Sequence, residues 1–293
     1  MAAKIKVIYI AGTGKSGSTL LGKLLGQVEG YLDVGELINV TIQHERNERC
    51  GCGELVGACQ FWSQVLMKIG GSKKLDQVHW KRLKTRYLPL LAIPGAGRFL
   101  RRYFSQLYEV HKAIIDIGQG RVIVDSSKSA FYGAVLNLCP DIDVYTVHLV
   151  RDVRACEGSM YRLKSEGADK FAARSTGWNS LRWMIVNRMT EWAARRVGSQ
   201  YLRIRYEDLV SDPQRTLSEI TRLVENEPTP LKWIDGNSAM LDKTHSIAGS
   251  GVRFKLGRLE LRVDERWKEN LPLRNRAVVE GLTRRFRQRY GYN

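Results

Sequence analysis

The sequence predicts an α/β fold with three layers, in which a central parallel sheet is flanked by helices. Short apolar runs at residues 5–10, 122–124, 144–150 and 201–204 have the length of buried strands. Helical patterns separate these runs, as the crossover connections of a parallel sheet require. The first run ends in a glycine-rich turn that opens a helix, which is where such sheets bind ligands.

The domain organisation follows from length and composition. A chain of 293 residues with 43% hydrophobic residues can bury one large core, and no Pro/Gly/Ser-rich linker divides it. We therefore expect a single domain over residues 1–293. The stretch from about 36 to 118 is mostly helical in pattern and too long for one crossover helix, so we predict a helical cap over the carboxyl ends of the strands.

The charge narrows the class of partner. A formal net charge of +17 favours contact with phosphates, sulfates or acidic headgroups. Basic stretches at 81–86 and 284–287 are candidates for peripheral contact with an anionic surface, whereas nucleic acid is the less expected partner. Residues 1–10 contain no apolar stretch of signal-peptide length, and no other segment approaches the roughly 20 apolar residues of a membrane span, so we expect a cytoplasmic protein.

Three of the five cysteines cluster in sequence, namely Cys50, Cys52 and Cys59. They could hold zinc if a fourth ligand such as His44 joined them. A disulfide and plain loop thiols are the other interpretations, and the sequence does not choose among the three.

The glycine-rich turn after the first strand predicts a phosphate site. Its candidate ligand-binding residues are Gly14, Lys15, Ser16, Gly17, Ser18 and Thr19. Glycines let backbone N–H groups converge on an anion, and the following helix adds its N-terminal dipole. The turn is P-loop-like, but the nucleotide triphosphatase pattern requires a glycine where this chain has Tyr9. Because an apolar strand ending in Asp125 resembles a magnesium-positioning strand, an ATP-dependent P-loop kinase is the alternative.

Three blocks of sequence resemble sulfotransferases that use 3′-phosphoadenosine 5′-phosphosulfate (PAPS). Lys15-Ser16-Gly17-Ser18-Thr19-Leu20 is similar to the family's 5′-phosphosulfate loop. In the block from 148 to 159, Arg151 and Ser159 match the two residues that hold the 3′-phosphate. In the block from 206 to 213, Tyr206 matches the tyrosine beside the adenine.

Two further blocks resemble the bacterial and tyrosylprotein-sulfotransferase-like branches of the family. They are Asp125-Ser126-Ser127-Lys128 and the block from 249 to 254. Within the second of these blocks Gly251 and Arg253 are candidate donor-binding residues, since Arg253 looks like the basic residue that closes over the 3′-phosphate. The resemblance implies PAPS as co-substrate and a small-molecule, glycan, lipid or peptide acceptor. No metal is required, because the sulfuryl group of PAPS carries only one negative charge.

The catalytic candidates are Lys15, Lys128 and Glu36. Sulfuryl transfer resembles phosphoryl transfer, in which positioning and charge stabilisation dominate, so Lys15 and Lys128 would stabilise the leaving and transferring groups. By resemblance Glu36 is the general base, and His245 is the alternative base. His148, inside an apolar strand, is predicted to be a packed core histidine. A third hypothesis, resting on charge alone, is a non-catalytic binder of nucleic acid or anionic membrane.

Overall fold

A five-stranded parallel sheet forms the centre of the molecule. The computed structural model describes residues 3–71, 91, 97–166, 175–227 and 229–293. The strands are β1 (Ile5–Gly12), β2 (Tyr31–Gly35), β3 (Val122–Lys128), β4 (Ile142–Val150) and β5 (Gln200–Arg205). Their order across the sheet is β2-β3-β1-β4-β5. The four predicted strands are confirmed, and β2 is an additional edge strand that was not among them.

Helices cover the sheet and connect its strands. They are α1 (Ser18–Leu25), α2 (Val40–Glu45), α3 (Gln60–Lys68), α4 (Gly97–Gly118), α5 (Ala130–Asn137), α6 (Val153–Ser165), α7 (Thr176–Val197), α8 (Tyr206–Ser211), α9 (Pro213–Glu225), α10 (Trp267–Asn270) and α11 (Leu273–Arg289). Several begin at side-chain caps that the sequence supplies. Ser129 caps α5 by accepting a hydrogen bond from the Tyr132 N–H, and Ser175 caps α7 in the same way from Trp178.

The alternation of side chains along β1 divides the core into two layers. Val7 and Tyr9 face one hydrophobic cluster, which includes residues of α4 and α5, while Ile8 and Ile10 face the other, which includes residues of α1 and α9. All four of these side chains are essentially buried. Such burial contributes about 1.5–3 kcal/mol for each large apolar side chain. The three predicted layers are therefore present.

The predicted helical cap is only partly at the strand ends. Residues of α2 line a cavity beside the end of β3. By contrast, α4 buries Leu107, Val110 and Ile114 in the same cluster as Val7 of β1, so it belongs to a helical layer on the face of the sheet. The apolar face of α4 explains this placement, because it must be covered and the sheet offers the matching surface. The basic stretch 81–86 lies outside the described residues.

A small antiparallel sheet near the C-terminal end was not predicted. Its strands are β6 (Ile234–Asp235), β7 (Ser238–Leu241) and β8 (Gly257–Glu260). Ala239 and Leu241 of β7 pack into the cluster that contains α1. These strands are two to four residues long, which is too short for a clear alternating pattern in the sequence.

The final helix is only partly a solvated basic face. Arg287, within the stretch 284–287, is 7% exposed and donates to the carbonyl oxygen of Asn293. Because Arg287 points inward, it is not accessible for the contact with an anionic surface that the basic stretch 284–287 suggested. Among the described helices, none combines the length and hydropathy that a membrane crossing needs.

Candidate active site

The loop between β1 and α1 has the backbone of an anion site. Lys15 and Gly17 have positive φ angles of 66° and 95°, and α1 begins one residue after Gly17. Left-handed residues within a turn aim successive N–H groups to one side, which suits an anion. The Ser16 hydroxyl is fully buried and has no hydrogen-bond partner among the described residues. A phosphate oxygen held by the loop would satisfy such a hydroxyl.

Tyr206 and Arg151 lie against this loop. A Cβ placed on Gly17 would lie 2.4 Å from Cδ2 of the Tyr206 ring, so the ring touches the loop backbone directly. The Arg151 guanidinium stacks over the same ring at 4.5 Å and donates from Nη1 to the Lys15 carbonyl oxygen at 2.9 Å. Arg151 is 6% exposed, and its Nε has no partner among the described residues. The structure thus brings together Lys15, Arg151 and Tyr206 from three separate sequence blocks.

Asp264 contacts Arg151 and lines the same small cavity as Ser159. Arg151 Nη2 donates to Asp264 Oδ2 at 3.2 Å, and Asp264 lines a small cavity together with Ser159 and Arg266. Hydrogen bonds from Arg266, reinforced by the charge of Arg151, lower the pKa of Asp264 to about 2. Ser159 Oγ donates to the Ala155 carbonyl oxygen at 3.0 Å. Asp264 and Arg266 were not predicted, because no motif or period in the sequence marks the segment that contains them.

The late segment, residues 242–254, contains the block 249–254 and lies beside the start of α1. The Ser250 N–H donates to Thr19 Oγ1 at 3.1 Å, and Gly251 begins a 3₁₀ turn that contains Arg253. The Arg253 guanidinium donates from Nη1 to the carbonyl oxygens of Ala248 and Gly249 at 3.0 and 2.9 Å. Burial lowers the pKa of Arg253, and its Nε has no partner among the described residues. Gly251 and Arg253 are therefore next to the loop, with the guanidinium bonded to its own segment.

Glu36 and Lys128 form an ion pair at the carboxyl ends of β2 and β3. Lys128 Nζ donates to Glu36 Oε1 and also to the Ser126 carbonyl oxygen at 3.1 Å. Asn39 Nδ2 donates to the other Glu36 oxygen at 2.8 Å. Both members of the pair have side chains that are 18% exposed. The position of Asn39 three residues after Glu36 could have indicated this contact from the sequence.

Gly35 makes the placement of Glu36 possible. Its φ is 69°, and a Cβ there would lie 2.3 Å from the Ile247 carbonyl oxygen. Only glycine allows that approach, so the late segment can pair with the end of β2. The Glu36 N–H donates to the Ile247 carbonyl oxygen at 2.9 Å, and the Ile247 N–H donates to the Val34 carbonyl oxygen at 3.1 Å. Two backbone hydrogen bonds with Ile247 therefore hold the chain next to and at Glu36.

A cavity of about 560 Å³ joins the anion loop to the ion pair. It is lined by Gly12 and Gly14 of the loop, by Glu36 and Lys128, and by residues of α2 and α7. The lining therefore includes both a carboxylate and a cation next to the predicted phosphate site. A cavity of this volume is in the range of small-molecule binding sites.

Asp125 and His148 have structural roles. The Asp125 carboxylate is completely buried and accepts hydrogen bonds from the Ser127 N–H and hydroxyl. Burial raises its pKa to about 6. His148 is also completely buried, between the Tyr201 hydroxyl at 2.7 Å and Asn187 Oδ1 at 2.8 Å, which confirms the prediction of a packed core histidine.

The cysteine cluster contains a histidine, but not the predicted one. Cys50, Cys52, Cys59 and His245 place their potential ligand atoms within 4.8 Å of one another. His44, the suggested fourth ligand, is not a member of this group. The His245 ring stacks on Phe61 with its centroid 4.7 Å away. Its contacts with the thiols argue against the alternative role as general base.

Comparison with known proteins gives one family. The model of a family described as "Sulfotransferase family" matches residues 8–229, which is more than half of the chain. No curated protein matches the sequence significantly. The chain resembles the solved sulfotransferase domain from the Synechococcus PCC 7002 olefin synthase at 19% identity and a TM-score of 0.51, covering 98% of this chain and 96% of that one.

A second solved structure has the same fold. It is the sulfotransferase domain from the curacin biosynthetic pathway, at 17% identity and a TM-score of 0.52, covering 100% of this chain and 99% of that one. At these identities the two structures support the shared fold of the chain. The α/β architecture predicted from the sequence is confirmed.

Proposed function

The chain belongs to the sulfotransferase family, and we propose that it transfers a sulfuryl group from PAPS to a hydroxyl or amine of an acceptor bound in the cavity beside Glu36. The observation that carries this proposal is the single cavity that joins the anion loop to the Glu36–Lys128 pair. A donor phosphate at the loop and an acceptor at the carboxylate would then meet in one space.

The buried, unpartnered polar atoms support a donor with two separate anionic groups. Ser16 Oγ lies within the loop, whereas Arg151 Nε lies beside it. Nη2 of the same guanidinium bonds to Asp264, which lines the cavity of Ser159. We assign the 5′-phosphosulfate to residues 14–19 and the 3′-phosphate to Arg151 and Ser159, with Tyr206 beside the adenine. Gly251 and Arg253 would complete the donor site from the late segment.

The catalytic roles follow from position. Glu36 would accept the proton of the attacking hydroxyl, and its contacts with Lys128 and Asn39 hold the carboxylate in place for that step. Lys15 at the loop and Lys128 at the end of β3 would stabilise the charge on the leaving and transferring groups. PAPS supplies the activated sulfuryl group.

The kinase alternative receives less support. A magnesium-positioning aspartate must present its carboxylate to the nucleotide site. Asp125 is instead completely buried and accepts hydrogen bonds from Ser127, two residues further along β3. We also propose a cytoplasmic location, which the five free cysteines fit because free thiols persist in reducing compartments.

Calorimetric titration with 3′,5′-adenosine bisphosphate tests the donor assignment, with AMP and magnesium-ATP titrated separately as comparison ligands. We expect micromolar binding of the bisphosphate without added metal and affinity for AMP at least about tenfold lower, because AMP lacks the group that Arg151 would bind. Arg151→Ala should weaken binding of the bisphosphate far more than binding of AMP.

The surface substitution Arg215→Ala is the charge control, since Arg215 pairs only with exposed carboxylates among the described contacts. It should change neither affinity. Equal losses of bisphosphate and AMP affinity in Arg151→Ala would contradict the 3′-phosphate assignment. Tighter binding of magnesium-ATP than of the bisphosphate would contradict the sulfotransferase proposal and favour the kinase alternative.

A further inference from the structure

Four potential metal ligands converge outside the proposed reaction site. Cys50 and Cys59 are completely buried, and Cys52 and His245 are partly buried. Their ligand atoms come from two segments far apart in sequence, since Cys59 and His245 are 186 positions apart. All five cysteines of the chain are free thiols. Three sulfurs and one imidazole nitrogen form a typical ligand set for structural zinc.

The spacing of the sulfurs fits one tetrahedral ion. When Zn–S bonds are about 2.3 Å long, two sulfur ligands of a tetrahedron lie about 3.8 Å apart. Cys59 Sγ lies 3.7 Å from Cys52 Sγ and 3.8 Å from Cys50 Sγ. A disulfide would need these atoms about 2.0 Å apart, and it would leave the third thiol without a partner.

The histidine fits the same tetrahedron. With Zn–N bonds of about 2.0–2.1 Å, a nitrogen and a sulfur ligand lie about 3.5–3.6 Å apart. Nδ1 of His245 lies 3.3 Å from Cys59 Sγ and 3.8 Å from Cys50 Sγ, and these two distances bracket that value.

The surroundings hold the ligands in place. The Trp62 indole N–H donates to the His245 carbonyl oxygen at 2.7 Å, and Phe61 stacks on the imidazole with an interplanar angle of 14°. A tight turn presents Cys50 and Cys52, because the Cys50 N–H donates to the Glu54 carbonyl oxygen at 2.8 Å. Such outer contacts orient a metal-binding side chain before the ion arrives.

We propose that Cys50, Cys52, Cys59 and His245 bind one structural Zn²⁺ ion. Four protein ligands close the coordination sphere, so the ion would take no part in the chemistry. Its role would be to cross-link the cysteine turn to the late segment. The Gly51 N–H already donates to the Ser246 carbonyl oxygen at 2.8 Å, and the next residue of that segment pairs with the backbone of Glu36. The ion would thereby fix the segment that positions the proposed base.

Metal analysis of the purified wild-type protein tests this site without any substrate. Protein produced in zinc-supplemented medium and purified under reducing conditions should contain about one zinc per chain by plasma mass spectrometry. Cys59→Ala should lose the zinc. The matched control is Cys139→Ala, which removes another buried thiol, bonded to the Phe104 carbonyl oxygen, and should keep it.

Cobalt substitution keeps the proposal testable if Cys59→Ala does not fold. Wild-type protein stripped with a chelator and refilled with Co²⁺ should show the intense visible bands of tetrahedral cobalt with thiolate ligands. Wild-type protein without zinc and without these bands on Co²⁺ addition would overturn the proposal. A disulfide between Cys52 and Cys59, found by mass spectrometry of freshly purified protein, would overturn it as well.

The zinc site and the sulfotransferase proposal fail separately. Zinc content is measured without nucleotide, whereas donor binding is measured by calorimetry. A chelator should lower the melting temperature of the wild-type and Cys139→Ala proteins but not that of Cys59→Ala. An equal response of all three would show that the chelator acts elsewhere.

Discussion

The contact between Gly17 and Tyr206 gives the sharpest prediction for the anion loop. Gly17→Ala places a methyl group at a left-handed position, where φ is 95°, and 2.4 Å from Cδ2 of the Tyr206 ring. The backbone strain costs about 1–2 kcal/mol. Displacement of a packed ring adds about 1–3 kcal/mol. We therefore expect Gly17→Ala to lower the free energy of unfolding by about 2–5 kcal/mol.

Gly14→Ala is the matched control within the same loop. A Cβ at Gly14 would meet nothing within 4 Å, and its φ is outside the left-handed range. Its free energy of unfolding should stay within about 0.5 kcal/mol of wild type. Urea unfolding of both variants measures the difference.

A double substitution separates the two causes. In the background of Tyr206→Ala the ring is absent, so Gly17→Ala should cost only the backbone strain of about 1–2 kcal/mol. Equal stability of the Gly17→Ala and Gly14→Ala variants would refute the argument, because the contact and the strain are present at Gly17 alone. An unchanged cost after removal of the ring would refute its steric part.

Three further predictions concern chemistry and pH. Glu36→Gln should abolish sulfuryl transfer and leave calorimetric affinity for 3′,5′-adenosine bisphosphate nearly unchanged; weaker binding with normal transfer would assign the base elsewhere. Lys15→Ala should slow single-turnover transfer about 10²–10³-fold, as loss of an oxyanion-hole donor does, and unchanged turnover would end its role. Burial lowers the pKa of His148 from 6.5 to about 4, so its contribution to stability is complete above pH 6.5 and is lost as the pH falls toward 4. That loss amounts to about 3 kcal/mol of the free energy of unfolding. Urea unfolding between pH 7 and 4 should show that this free energy declines less in His148→Asn than in wild type. An equal decline in the two proteins would contradict the prediction.

The sequence predicted those features whose signal is local. Each strand it identified is a short, mainly apolar run, and the loop after β1 combines glycines with the start of a helix at Ser18. The bonds of Asp125 to Ser127, two residues further along the chain, are equally local. Such contacts are set by the chain's own geometry, so a short pattern is sufficient to predict them.

The features that the sequence missed depend on contacts between distant segments. His245 joins Cys59 across 186 positions, and Arg151 meets Asp264 across 113. From the sequence we suggested His44, six positions before Cys50, as one possible fourth ligand. Packing of the late segment against β2 decides the partner instead, and no local pattern contains that information.

The late segment, residues 242–254, determines how the two halves of the proposed site are spaced. At its two ends, the buried Lys23 ammonium of α1 donates to the carbonyl oxygens of Asp242 and Arg253 at 2.6 and 3.2 Å. Burial lowers the pKa of Lys23, so these bonds must compensate for the desolvation of its charge. In its middle, Ile247 is bonded to the backbone of Glu36. Because α1 begins at the anion loop and Glu36 is the proposed base, one segment fixes both, and a change in its packing would move the acceptor carboxylate relative to the donor phosphate.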